Sequence, residues 1–168
     1  MVCGHCARGE AENINMDKNI QAKFLNHISR IIQVNFTGGE PSLYPQAIND
    51  FIDICTEKNI VVEEFEISTN AKNISDEFML ALTRLHSFCT DNEISIVRIS
   101  NSQFHQNNKQ AIEKLQTLEF VDFRYKDNQI TTFLNEGFYK DNYNTGIKPT
   151  IKPFSIEDNN YIGSLDIS

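Results

Sequence analysis

Cys3 and Cys6 frame His5 in the opening Met-Val-Cys-Gly-His-Cys-Ala-Arg-Gly-Glu. Thiolates are soft ligands that suit zinc, copper(I) and iron–sulfur clusters, and the same C-x-x-C spacing serves redox pairs. The pair precedes the first helix-like segment, so it is expected on a loop that a metal can reach. Further along, Thr37-Gly38-Gly39-Glu40-Pro41 sets a glycine pair beside one carboxylate. Such glycines let a ligand approach the backbone closely. The glutamate has two readings: a turn residue favoured by a helix dipole, or a charge-assisted partner for a ligand's ammonium.

Together the two segments resemble the radical S-adenosylmethionine (SAM) enzymes, whose signature is C-x-x-x-C-x-aromatic-C followed by GGEP. The resemblance runs from Met1 to about Phe123. It implies a partial (β/α) barrel in which three cysteines hold a [4Fe–4S] cluster and SAM chelates the fourth iron. On this match Cys3 and Cys6 are the second and third cluster cysteines, and His5 takes the aromatic position beside the SAM adenine. Gly38, Gly39, Glu40 and Pro41 match the turn that meets the methionyl ammonium. Ser68, Asn70 and Ser100 resemble polar residues that contact SAM. The implied reaction is reductive cleavage of SAM to a 5′-deoxyadenosyl radical, which abstracts hydrogen from a peptide or small-molecule substrate. Flavodoxin or ferredoxin is the implied electron donor. One departure stands out: the first cysteine of the motif would fall two positions ahead of Met1. The expectation is therefore a truncated start, with a degenerate homologue as the second explanation.

Bulk properties bound the alternatives. A 168-residue chain with 40% hydrophobic and 23% charged residues suits one globular core and argues against wholesale disorder. A net charge of −8 opposes non-specific binding to nucleic acid or to an anionic membrane. No apolar run is long enough to span a bilayer. Four cysteines without a secretory signal read as reduced thiols or metal ligands, which points to the cytoplasm.

The elements that must position these residues alternate. Asn15 is expected to cap a helix reaching about Ile32, with Ile20, Phe24, Ile28, Ile31 and Ile32 on its buried face and Leu25 on the edge of that face. A strand over Gln33 to Thr37 follows. A helix from Pro45 to Lys58 buries Ile48, Phe51, Ile52 and Cys55. Val61 to Ser68 is the next strand, and Ser75 caps a third helix that buries Phe78, Leu82, Leu85 and Cys89. Ile94 to Ser100, Asn108 to Leu118 and Phe120 to Arg124 read as strand, helix and strand. Val34, Phe65 and Ile96 recur at a constant spacing of 31, as parallel strand–helix units require. Active groups gather at the C-terminal ends of such strands, where Gly38-Gly39-Glu40, Ser68-Thr69-Asn70 and Ser100-Asn101-Ser102 fall.

Residues 1–125 thus read as the core, and 126–168 as a C-terminal extension or the start of a remainder. Lys140 to Gly146 reads as a loop and Tyr161 to Ile167 as one last strand. Cys55 and Cys89 read as core residues, and His27 and His86 as helix residues without partner spacing. His105, just past a strand end, reads as a loop histidine or a substrate contact. Arg8 and Glu10 are open between substrate binding and a surface pair. Two rival readings stand beside the first: a cluster-free SAM- or partner-binding homologue, and a small zinc-binding α/β domain using Cys3 and Cys6. With one motif cysteine lacking, anaerobic reconstitution of this chain should leave it short of a full four-iron complement. Iron and sulfide analysis measures this, and a complete cluster that cleaves SAM would refute it.

Overall fold

The computed structural model describes residues 14–100, 107–123, 155–157, 160–162 and 165–167. Helix α1 spans Lys18–Phe24, with Asp17 as its N-cap accepting from the Asn19 N–H at 2.8 Å. A tight turn at Leu25–His27 ends it, and strand β1 runs over Arg30–Phe36. The expected helix to Ile32 is therefore too long, and Asp17 replaces Asn15 as the cap. Ile28, Ile31 and Ile32 keep helical spacing by coincidence. Ile31 instead pairs with Val62 across the sheet, where β-branched side chains fit a pleated surface. The buried residues differ in part: Gln21 and Leu25, the latter expected only at the edge, are buried, while Ile20 and Phe24 stand 60% and 59% exposed.

Helix α2, Gln46–Lys58, starts after Pro45 and buries Ile48, Phe51, Ile52 and Cys55 as expected, with Asp50 and Ile54 besides. Asn59 ends it in the left-handed conformation at φ 56°, a position that asparagine tolerates. Strand β2 covers Val61–Thr69. Helix α3, Asp76–Phe88, is capped by Ser75, whose hydroxyl accepts from the Phe78 N–H at 3.1 Å. Asp76 and Glu77 in its first turn complement the dipole. Strand β3 is Ile96–Ile99, helix α4 is Lys109–Leu115 and strand β4 is Val121–Phe123. Strands β5, Ser155–Glu157, and β6, Asn160–Ile162, pair antiparallel, and β7, Leu165–Ile167, pairs parallel to β1. The single last strand expected over Tyr161–Ile167 is thus divided between two sheets. The loop expected at 140–146 lies outside the described residues.

The main sheet is parallel with order β4-β3-β2-β1-β7. From β1 to β4 the chain adds each strand beside the last without reversing direction. Right-handed crossovers then put α2, α3 and α4 on the same face. The contacts agree, since α1 packs on α2 and α2 on α3. Lys114 of α4 reaches the Ile74 carbonyl and Asp76 at the start of α3. The covered face carries Val34, Phe36, Phe65, Ile67, Val97 and Ile99, all buried. Phe36 meets Phe51 of α2 edge-on, with ring centroids 5.5 Å apart, which locks sheet to helix.

The opposite face is polar, with Gln33, Asn35, Glu64, Glu66, Ser68, Arg98 and Asp122. Arg98 bridges Glu66 at 2.8 Å and Asp122 at 3.4 Å. Val34 pairs directly with Phe65, as the spacing of 31 predicts. The next step is shorter, because Ile96 pairs with Glu66. Ile96 therefore falls on the polar face, and Val97 and Ile99 take the core. Leu25→Ala should cost about 2–5 kcal/mol, whereas Ile20→Ser should stay within about 0.5 kcal/mol of wild type. Chemical denaturation of both variants checks which side chains of α1 and the turn after it enter the core, and a larger loss for Ile20→Ser would restore the original assignment.

Candidate functional site at the strand ends

Gly38 follows β1 with φ 115°, a backbone angle that a side chain would strain. A Cβ placed on Gly39 would meet no atom within 4 Å, so the space beside that residue is open. These two residues turn the chain so that Glu40 comes back over the end of β2. Its carboxylate there meets three donors. The Thr69 hydroxyl donates to Oε1 at 2.5 Å, and the Ser42 N–H donates to the same oxygen at 3.3 Å. The Asn70 N–H donates to Oε2 at 2.9 Å. Thr69 is buried, and its hydroxyl also accepts from the Ala71 N–H at 3.2 Å, which directs its own proton to Glu40.

The segment after β2 is held as firmly. Asn70 accepts the Lys72 N–H on its side chain at 2.8 Å, and Ala71 takes the left-handed conformation at φ 48°. Asn107 donates through Nδ2 to the Asn70 carbonyl at 2.7 Å and to the Ser100 carbonyl at 3.0 Å. The Ser100 N–H donates to the Thr69 carbonyl at 2.8 Å, and the Asn108 N–H to the Ala71 carbonyl at 3.1 Å. One network thus ties the ends of β1, β2 and β3. It can present a carboxylate of fixed orientation: Oε1 holds two donors, and among the described residues Oε2 accepts from Asn70 alone, which leaves a lone-pair direction over.

Of the residues expected at the site, Gly38, Gly39, Glu40, Pro41, Asn70 and Ser100 meet at these strand ends. Pro41 opens the tight turn Pro41–Leu43. Ser68 is exposed, because strand alternation turns it to the face opposite Thr69. Cys3, His5 and Cys6 lie outside the described residues, as do Arg8, Glu10 and His105. Thr69, expected only as part of the polar segment after β2, proves to be a partner of Glu40, and Asn107 is a new member of the network. Strand parity through Phe65 and Ile67 places Thr69 on the core side. No sequence pattern marks Asn107, whose bond to the Asn70 carbonyl spans 37 residues.

The remaining candidates are structural. His27 is exposed. His86 stacks on Phe120 at 4.0 Å, with Nε2 3.2 Å from the Asn92 carbonyl. Among the described residues no group of three or more His, Cys, Asp or Glu side chains could hold a metal. No helix there is long and apolar enough to cross a membrane. An open groove of about 460 Å³, lined by Arg30, Val61, Glu63, Thr90 and Asp91, lies at the opposite ends of β1 and β2 and touches none of the network. Comparison of the chain with known protein families, curated proteins and solved structures finds no match.

Cys55 and Cys89 are free and buried, as core residues should be. Burial pushes the Cys55 thiol up to about 12, with neighbouring Cys89 adding to the rise. Burial likewise pushes Cys89 to about 12 against a lowering hydrogen bond from Ser95. A folded thiol that ionises later than an unfolded one stabilises the fold below the ordinary value of 9.0. That contribution is lost as pH rises toward 12, because the unfolded chain sheds its protons first. Both thiols should therefore resist alkylation in the native chain at mildly alkaline pH and react once it is unfolded. Mass spectrometry of iodoacetamide-treated protein reads this, and native labelling of either residue would contradict its burial.

Proposed function

We propose that this protein is a radical SAM enzyme that binds SAM at the strand-end network. The observation that carries the reading is the Glu40 carboxylate, fixed by Thr69 and Asn70 with one lone pair of Oε2 left over. A carboxylate that only accepts, and is already oriented by three donors, suits a ligand's ammonium and rejects a second anion. Open space beside Gly39 suits the approach of a methionyl group. Asn70 and Ser100, joined through Asn107, would line the same side.

The winding of the sheet supports the same reading. Sequential parallel strands with helices on one face are how a (β/α) barrel begins, and the polar face would then look into its interior. Cys3 and Cys6, with a third cysteine, would hold the [4Fe–4S] cluster. When bound and reduced, the cluster with SAM supplies a 5′-deoxyadenosyl radical for hydrogen abstraction. This chain's own residues bind and orient. Glu40 grips the ammonium, Thr69 and Asn70 keep the carboxylate from rotating, and the glycine turn lets the ligand lie against the backbone. The substrate is a peptide or small molecule, electrons come from a flavodoxin or ferredoxin, and the compartment is the cytoplasm.

Glu40→Gln removes the charge and turns an N–H₂ toward the ammonium. It should weaken SAM binding by about tenfold or more, the worth of a hydrogen bond to a charged group. Titration calorimetry measures the affinity, with circular dichroism confirming that the variant folds. Unchanged affinity in a folded variant would reject Glu40 as the ammonium's partner.

A further inference from the structure

Ala71 stands in the left-handed conformation at φ 48°, where a residue with a Cβ is strained. Such a conformation persists only where its surroundings hold it, and it clusters at functional sites. Here the carbonyls of Ala71 and of the residue before it are both held from the start of α4. Asn107 donates through Nδ2 to the Asn70 carbonyl at 2.7 Å, and the Asn108 N–H donates to the Ala71 carbonyl at 3.1 Å. Ala71 and Asn70 are both buried, so a carbonyl released here would find little water to replace its donor.

Asn107 uses both hydrogens of its side-chain amide, since Nδ2 also donates to the Ser100 carbonyl at 3.0 Å. The register of β2 with β3 ends at Thr69 opposite Ile99, so the Asn70 and Ser100 carbonyls lie one residue beyond it. A planar amide with two donors ties them together where the ladder no longer does. On the other side of Asn70, its N–H donates to Glu40 Oε2 at 2.9 Å. The backbone of Asn70 is thus gripped at its carbonyl by Asn107 and at its N–H by the carboxylate. Freeing the carbonyl lets Asn70 and the strained Ala71 relax, and the N–H that fixes Glu40 moves with them.

Resting on the SAM reading above, we propose that Asn107 is a positioning residue for the ligand's ammonium. It touches no ligand itself. By holding Asn70 it fixes the Glu40 carboxylate, and it makes recognition at the end of β1 depend on the end of β3. Titration calorimetry of the full chain with SAM compares wild type, Asn107→Ala, Glu40→Gln and the double variant, with circular dichroism checking that each folds. Asn107→Ala should bind SAM about tenfold more weakly. In the Glu40→Gln background the same change should cost less than about twofold, because its effect passes through the carboxylate. A side chain that only props the loop costs the same factor in both backgrounds, so equal factors, or no loss in either, overturn the role. A measurement on wild type serves where Asn107→Ala does not fold. The Asn107 side-chain N–H₂ protons, followed by NMR, should exchange more slowly once SAM is bound, since coupling between two sites is reciprocal. Unchanged exchange at saturating SAM overturns the proposal and leaves the SAM reading standing. A wild type that binds no SAM overturns that reading itself, and the role of Asn107 falls with it.

Discussion

Parallel pairing of β1 with β2 in a single register is the constraint on which the rest depends. Val34 lies opposite Phe65 and Phe36 opposite Ile67, so one face of both strands enters the helix-covered core. A slip of one residue would turn every core side chain to the other face. It would also replace Thr69 by a neighbour at the position that meets Glu40. Core and network are therefore one solution: the packing that buries Phe65 and Ile67 also aims the Thr69 hydroxyl at the carboxylate. The short O–H···O contact of 2.5 Å is of the kind made to a charged acceptor.

The one-sided cover has a second effect. Parallel sheets usually need both faces buried, and their strands then read as continuous apolar runs. Here β2 alternates, with Glu64, Glu66 and Ser68 facing away from the helices and Phe65, Ile67 and Thr69 facing them. Arg98 joins Glu66 and Asp122 across three strands on the polar side. Such half-exposed pairs add little stability. They make the face unsuitable for an apolar layer.

Most of the core was legible because its signals are local. The helical faces of α2 and α3, the Ser75 cap and the approximate strand positions follow from periodicity and capping chemistry within a few residues. Helix α1 was misread because apolar spacing continues from Ile20 to Ile32 while the chain changes from helix to strand at Ser29. Only the partner strand, through Ile31 opposite Val62, decides that segment. At the site, the glycine pair and Glu40 announced themselves by type. The partners of Glu40 did not, since Ser68, Thr69 and Asn70 are alike in polarity and only strand parity distinguishes them. Asn107 has no sequence signature, because a bridge between two distant carbonyls exists only in three dimensions.

The span between Glu40 and its donors also sets an order of events in biosynthesis. Thr69 and Asn70 follow the glutamate by 29 and 30 residues, with the whole of α2 between them. A chain emerging from the ribosome exposes the glycine turn first, and the carboxylate stays hydrated until β2 has emerged and docked. Pairing β1 with β2 across that separation is slow compared with forming α2, so completion of the network reports completion of the first strand–helix–strand unit. Until that step the carboxylate has none of the donors that fix it, so the oriented network belongs only to chains that have paired β1 with β2.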